Sequence, residues 1–281
     1  MSAPRIAVMT PADLDRALDW AAAEGWNPGI DDAQAFRAAD PEGFLMAFMG
    51  EEPVAAISVV RQGADFGFLG LYLCVPAWRG RGLGWKIWQA GLARLAGRVV
   101  GLDAVPAQEA NYARSGFAVA DRARRWGGVV AGEAAGGGAA PARPEDLAEL
   151  LAWDRAASGI DRAAYLGAWL APAPTRITLV LRAPDGRLRG FGTIRACRAG
   201  AKVGPLMAED ADAAERLLRA LAATPPGPEL VVDMPASNPE AERLARRLGL
   251  RPDFDTARMY LGPAPREETA RVFGRATLEL G

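Results

Sequence analysis

The order of elements in this 281-residue chain is written twice, and that repetition narrows the possible folds more than any feature of composition. In each half two helix signals are followed by three strand-like runs, a helix, a strand, a helix and a further strand. In the first half Thr10 is placed to cap a helix opening at Pro11, with Asp13 at its third position. That helix runs out near Gly25. Asp31 or Asp32 opens the second, and the turn Asp40-Pro41-Glu42-Gly43 closes it. Phe44–Met49, Val54–Arg61 and Phe68–Val75 read as an antiparallel meander. Gly84–Ala96 is expected to be a helix, Val99–Asp103 a buried strand, Gln108–Ser115 a helix and Phe117–Val119 a strand, after a short opening strand at Arg5–Met9.

The second half repeats this with helices near Pro144–Ala157 and Asp161–Leu170, and strands near Arg176–Arg182, Arg187–Arg195 and Lys202–Met207. A helix at Asp212–Ala223, a strand at Leu230–Met234 and a helix capped by Asn238 and ended at Gly249 complete it. Between the halves, residues 131–141 contain the run Gly136-Gly137-Gly138 and read as a flexible linker. The expectation is two tandem domains, 1–130 and 142–281, each α/β of the α+β kind with a mixed, mostly antiparallel sheet.

Composition removes several chemistries. The chain has no histidine, so Ser-His-Asp and Cys-His catalysis, a histidine base and His-ligated zinc are unavailable, and no metal is expected. Its 33 basic and 34 acidic side chains nearly cancel, which gives no global attraction to nucleic acid or to an anionic membrane. Cys74 and Cys197, far apart and each in a strand-like run, read as free thiols in a reducing compartment. No apolar leader or span is visible, and a cytoplasmic protein is the expectation.

The residues that carry chemistry follow the third strand. Arg79-Gly80-Arg81-Gly82-Leu83-Gly84 is a glycine-rich turn that feeds a helix. Such a turn aims backbone N–H groups and the positive end of a helix dipole at one point, where a pyrophosphate can sit. The three glycines allow close approach, and Arg79 and Arg81 add charge-assisted donors. The turn lacks the Lys-Ser/Thr of a P-loop, and it follows a meander rather than opening a dinucleotide-binding βαβ unit. A surface turn or a contact to single-stranded RNA would use the same residue types.

With Val75, Pro76, Arg79, Gly82 and Gly84 in register, the segment resembles the hallmark of the GNAT superfamily of N-acetyltransferases: strand, Val-x-Pro, then Arg/Gln-x-x-Gly-x-Gly/Ala opening a helix. The later Tyr-x-x-x-Gly-Phe pattern of that family is matched by Tyr112 to Phe117. More narrowly, Gly25-Trp26-Asn27-Pro28-Gly29, the run Leu102 to Gln108 and the terminal Glu279-Leu280-Gly281 look like the YitH-like tandem GNAT proteins.

The resemblance implies transfer of an acyl group from acetyl-CoA, or another acyl-CoA, to a primary amine by direct attack. It implies that the backbone of Leu73, Cys74 and Val75 holds the pantetheine arm and polarises the thioester. It places Tyr112 where the departing thiolate is protonated, a transfer open to a phenol of pKa ~10 facing a thiol of pKa ~8.5. Trp26, Asn27, Asp31 and Phe36 would line the acceptor side. For the base, Asp103, Glu51, Asp65 or Tyr72 acting through water remain open. On the helix after the turn, Trp85 and Trp88 are both expected to be buried, and Cys74 is a small packing residue rather than a nucleophile.

At the corresponding point of the second half, Val203-Gly204-Pro205-Leu206-Met207-Ala208 runs into Glu209-Asp210-Ala211-Asp212, and Ala245 stands at the tyrosine position. Carboxylates in place of arginines and glycines repel a pyrophosphate, so one CoA per chain is expected, in the first half. Arg195, Arg198, Lys202 and Arg258, with Tyr260, could present a cationic wall to an acceptor or form a solvated face. The reading is an N-acetyltransferase for a small-metabolite amine, monomeric or weakly dimeric. A non-catalytic acyl-CoA-binding regulatory module and a protein or peptide N-acetyltransferase are the alternatives.

Overall fold

A computed structural model describes residues 3–133 and 138–281. The first half opens with β1 (Arg5–Val8), α1 (Pro11–Ala23) and α2 (Asp32–Ala39), then the meander β2 (Phe44–Met49), β3 (Glu52–Gln62) and β4 (Phe66–Cys74). It continues through α3 (Leu83–Arg94), β5 (Val99–Ala104), α4 (Glu109–Arg114) and the long β6 (Ala118–Val129). The second half runs β7 (Ala139–Pro141), α5 (Leu147–Ser158), α6 (Ala163–Leu170), β8 (Arg176–Arg182), β9 (Leu188–Ala196) and β10 (Ala201–Ala208). It closes with α7 (Ala211–Ala222), β11 (Glu229–Pro235), α8 (Pro239–Arg247), β12 (Arg251–Leu261) and β13 (Val272–Gly274).

The helix starts follow local chemistry. Thr10 and Asp13 form the reciprocal capping box of α1, with Pro11 in its first turn, and Asn238 accepts from the N–H groups of Glu240 and Ala241 to start α8. In α3 the buried positions Leu83, Ile87, Trp88 and Gly91 fall on one stripe. A side chain at Gly91 would stand 2.7 Å from Val59 Cγ1, so the helix lies directly on β3. Trp85, on the other side of the helix, is 55% exposed, contrary to the expectation of burial.

All thirteen strands among the described residues join one sheet, in the order β1-β2-β3-β4-β5-β12-β6-β11-β10-β9-β8-β7, with β13 added on β10. The halves exchange their last strands. β12 pairs with β5 from Ala257↔Ala104 to Leu261↔Val100, and β6 pairs with β11 from Glu229↔Val129 to Pro235↔Ala123. β6 and β12 pair with each other at the centre. The sequence shows only the first residues of β6, because the arginines Arg122, Arg124 and Arg125 hide its strand period. Only β4–β5 and β10–β11 are parallel.

The stretch expected to be a linker is partly built into this frame. Ala139–Pro141 adds to the sheet beside β8, and a side chain at Gly132 would meet Ala223 N at 2.8 Å. Residues 134–137, which include two of the three glycines, lie outside the described residues. Three large buried clusters result, one of which joins α1, α2, α5 and α6 through Phe36, Tyr165 and Trp169.

Because β12 supplies the partner of β5, a chain ending at residue 250 leaves β5 and β6 without their shared neighbour. Such a truncation is expected to be insoluble or to lose its far-UV circular dichroism. A folded, monomeric 1–250 chain eluting at its expected size would contradict the exchange of strands.

Candidate active site

β4 and β5 are hydrogen-bonded in register only from Phe66↔Val99 to Leu69↔Leu102, and then part. Two local features help β4 turn away. Leu71 takes a left-handed φ of 44°, and the β3–β4 register slips between Ala56↔Leu73 and Ser58↔Gly70, the signature of a bulge. The opening is a cavity of about 740 Å³, within the range of small-molecule sites. Trp26, Tyr72, Leu73, Cys74, Arg79, Asp103 and Tyr112 all line it, so residues scattered over the first half in sequence converge here.

On the wall formed by β4, the Val75 N–H already donates to Val54 O at 3.0 Å, which removes it as a donor to a bound thioester. Strand alternation turns Leu73 to the same side, towards Ala56, and leaves the Cys74 N–H facing the gap. Of the N–H groups of Leu73, Cys74 and Val75, that of Cys74 alone is turned to the gap. The Cys74 carbonyl accepts from Arg79 Nε at 2.9 Å, and its half-buried thiol is pushed up by burial against the lowering effect of Arg79.

At the mouth, Gly80 and Gly82 both take φ 75°, and a side chain at either would meet nothing within 4 Å. No side chain caps the first turn of α3, whose N-cap is the left-handed Gly82. The N–H groups of that turn are therefore unclaimed by any capping side chain, which fits an anion cradle. Gly84 has a different reason to be glycine: a side chain there would stand 2.9 Å from the Tyr72 hydroxyl. Leu83 is 2% exposed and contributes packing, with only its backbone near the turn. Arg79 is tied to Glu24, and the Arg81 guanidinium lies 4.7 Å from the Trp78 ring centroid.

Deeper in, Tyr112 stacks on Trp88 with centroids 5.2 Å apart, and Tyr72 packs on the same indole at 5.3 Å. Among the described residues no hydrogen bond reaches the Tyr112 hydroxyl. Burial, with a smaller contribution from Tyr72, raises its pKa above the ordinary phenol value, and burial and Cys74 push Tyr72 up to about 12. Both are protonated phenols at neutral pH.

Other expected site residues lie elsewhere. Phe36 is fully buried, stacked between Phe44 and Trp169 at 6.4 and 6.1 Å, and is core. Asn27 exchanges hydrogen bonds with the backbone of Ala199, and Asp31 accepts from Thr175 N and Oγ1, so both pin the first half to the second. Neither lines the cavity. Glu51 and Asp65 are exposed turn residues away from it. The cationic wall does not form. Arg195 is buried with Asp32 at 3.2 Å over the Trp169 ring, and Lys202 is buried with Nζ 2.7 Å from Trp26 O. Arg198 is exposed beside Asp19.

Asp103 and Arg258 turn out to be one feature. Arg258, on β12, donates from Nε and Nη2 to both oxygens of Asp103 at 2.7 and 2.6 Å, and both side chains are almost fully buried. Burial raises the Asp103 pKa against the lowering influence of Arg258. With both oxygens taken, the carboxylate is an arginine's partner rather than an open proton acceptor. The far end of the cavity is lined by Arg125 on β6, Phe254 and Thr256 on β12, and Leu278 and Glu279 of the C-terminal segment. The sequence singles out none of the five as a site residue, since nothing local ties them to the glycine turn; Glu279 enters only through the terminal Glu279-Leu280-Gly281.

Replacing Asp103 by Asn leaves Arg258 buried and under-partnered, which is expected to cost about 3–5 kcal/mol of stability. Chemical denaturation checks this. A stable Asp103→Asn protein with turnover alone reduced would restore Asp103 to the role of base.

Residues 12–118 match the acetyltransferase (GNAT) family, and residues 150–274 match an acetyltransferase (GNAT) domain. Over 276 residues the chain is 32% identical to a holothin acyltransferase of Pseudoalteromonas sp. (strain SANK 73390), covering 96% of this chain and 93% of that one. A putative acetyltransferase from Pyrococcus horikoshii shares the fold with a TM-score of 0.83 at 22% identity, over 100% of this chain and 97% of its own. A tandem GNAT protein from the clavulanic acid biosynthesis pathway does so with a TM-score of 0.63 at 17% identity, over 92% and 99% of the two chains. The chain belongs to the GNAT family, as an N-acyltransferase with two GNAT acetyltransferase domains in tandem.

Proposed function

We propose that the first half binds acetyl-CoA with its pyrophosphate at Arg79–Gly84, and that the enzyme transfers the acetyl group to the primary amine of a small metabolite. The observation that carries this reading is the cavity itself. One end begins at Cys74 and Arg79 beside the uncapped turn of α3, and the other is walled by β6, β12 and the C-terminal segment. An acceptor reaching the gap between β4 and β5 must fit inside those walls, which favours a metabolite over a protein chain. The relative's name makes holothin the first acceptor to assay.

In this reading the Cys74 N–H donates to the thioester oxygen, a contribution of about 3–4 kcal/mol where such donors have been removed. Tyr112, a phenol facing the cavity with no protein partner, delivers a proton to the leaving sulfur. That placement favours turnover over a purely regulatory binding module. The second half holds no CoA. Asp210 caps α7 through Ala213 N at 2.8 Å, which occupies the position of the anion cradle, and Arg187 and Arg189 hold Glu209 beside it. β10 and β11 part after Val203↔Val232 as β4 and β5 do, but here β13 pairs with β10 at Leu206 and Met207. The pantetheine position of this half is thereby filled by protein.

Isothermal titration is expected to give one acetyl-CoA per chain, with binding abolished by Arg79→Glu combined with Gly82→Asp. A stoichiometry of two, or a double variant that binds normally, would refute the assignment.

Tyr112→Phe is expected to lower kcat about 10²-fold or more while the dissociation constant of acetyl-CoA is retained. Because the folded-state phenol titrates above ~10, wild-type kcat should show no loss from its ionisation below that pH. A kcat unchanged in the Phe variant removes Tyr112 from the chemistry.

A further inference from the structure

Four carboxylates line the cavity, and their partners differ. Glu24 is tied to Arg79, Asp103 to Arg258, and Asp253 is exposed at the rim. Glu279 is 6% exposed, and among the described residues no hydrogen bond or ion pair reaches its carboxylate. The cations around it are committed elsewhere: Arg125 donates to both oxygens of Asp233 at 2.7 and 2.9 Å, Arg195 is held by Asp32, and Lys202 by Trp26 O. A second buried group at the same end is also unpartnered. Thr256 is 2% exposed and its Oγ1 has no hydrogen bond. A buried carboxylate that lines a cavity without a protein partner costs stability unless a ligand satisfies it, whereas the Thr256 hydroxyl is closed off from the cavity.

The backbone fixes where Glu279 stands. A side chain at Gly70 would lie 2.1 Å from the Glu279 carbonyl oxygen, so the C-terminal segment presses on β4 at the point where β4 leaves β5. Further along, Gln62 Nε2 donates to Leu280 O at 2.7 Å, and Arg162 donates to Gly281 O. The segment is thus held at Glu279 and at the two residues after it, and Glu279 lines the cavity.

We propose that Glu279 is the catalytic proton acceptor for the substrate amine. This rests on the reading of the enzyme as an acyltransferase to amines by direct attack. One proton of the ammonium passes to Glu279, and the freed lone pair forms the C–N bond at the thioester carbon. The C–S bond breaks. A second proton reaches sulfur by way of the Tyr112 hydroxyl, and the third stays on the amide nitrogen. The products are the amide, CoA thiol and the proton on Glu279, which solvent removes. The acceptor on this assignment is a primary amine that enters as an ammonium.

Glu279→Gln preserves the shape of the side chain and breaks no hydrogen bond. It is expected to bind acetyl-CoA as the wild type does, by isothermal titration, while CoA thiol release falls about 10²-fold or more. The amines used are holothin, benzylamine and tyramine. Glu279→Asp is expected to keep more turnover than the Gln variant, and added formate to restore part of it to Glu279→Ala, a rescue that a structural role would not produce. Wild-type turnover in the Gln variant, or loss of its acetyl-CoA binding, overturns the assignment of Glu279 alone. A wild type that releases no CoA with any of these amines overturns the acyltransfer reading beneath it as well.

Discussion

The hydrogen bonds of β12 to β5 and of β6 to β11 are the constraint on which the rest of the molecule depends. A half folded by itself would end in a parallel pair whose outer strand exposes a full row of N–H and C=O groups. Exchange of the last strands satisfies both rows and makes one sheet of two repeats. It also decides what lines the active site. Once β12 lies beside β5, Phe254 and Thr256 face a cavity whose other wall is β4. That side of the cavity is therefore built largely from second-half residues.

Buried charge follows the same seam. Asp103–Arg258 joins β5 to β12, Arg125–Asp233 joins β6 to β11, and Asp32 receives Arg176 and Arg195 from β8 and β9. Each pairs elements from different halves. Desolvation makes such pairs weak contributors to net stability, yet loss of one partner is costly. Their effect is to penalise any other docking of the halves, since a misplaced arginine would be buried alone. In a chain whose cations are nearly all arginine, with Lys86 and Lys202 the exceptions, bidentate geometry is available at each of these points.

This explains what could be read in advance. The caps of α1 and α8, the meander and the glycine turn are local, and residues within a few positions of one another specify them. Tyr112 was legible for the same reason, through its spacing to Gly116 and Phe117. Asp103 stands among the candidate bases by sequence because its partner Arg258 is 155 residues away. Phe36 is expected from the sequence to line the acceptor side, but Trp169 of the second half stacks on it and makes it core. Arg195 and Lys202 looked like a charged face because sequence gives the charge of a strand residue and not which side of the sheet is covered.

The C-terminal segment ties the second half to the first. β13 lies in the gap of the second half, where an acyl-CoA arm would otherwise run, and Gly204 is glycine because a side chain there would stand 2.2 Å from Arg275 O. The chain then crosses to the first half, passes Gly70 at the same kind of close approach, and brings Glu279 to the cavity. Filling one gap anchors the segment that completes the other. Release of β13 from β10 would open the gap of the second half and remove one wall of the first-half cavity. The filled gap in one repeat and the closed end of the cavity in the other are, on this geometry, two consequences of a single strand addition.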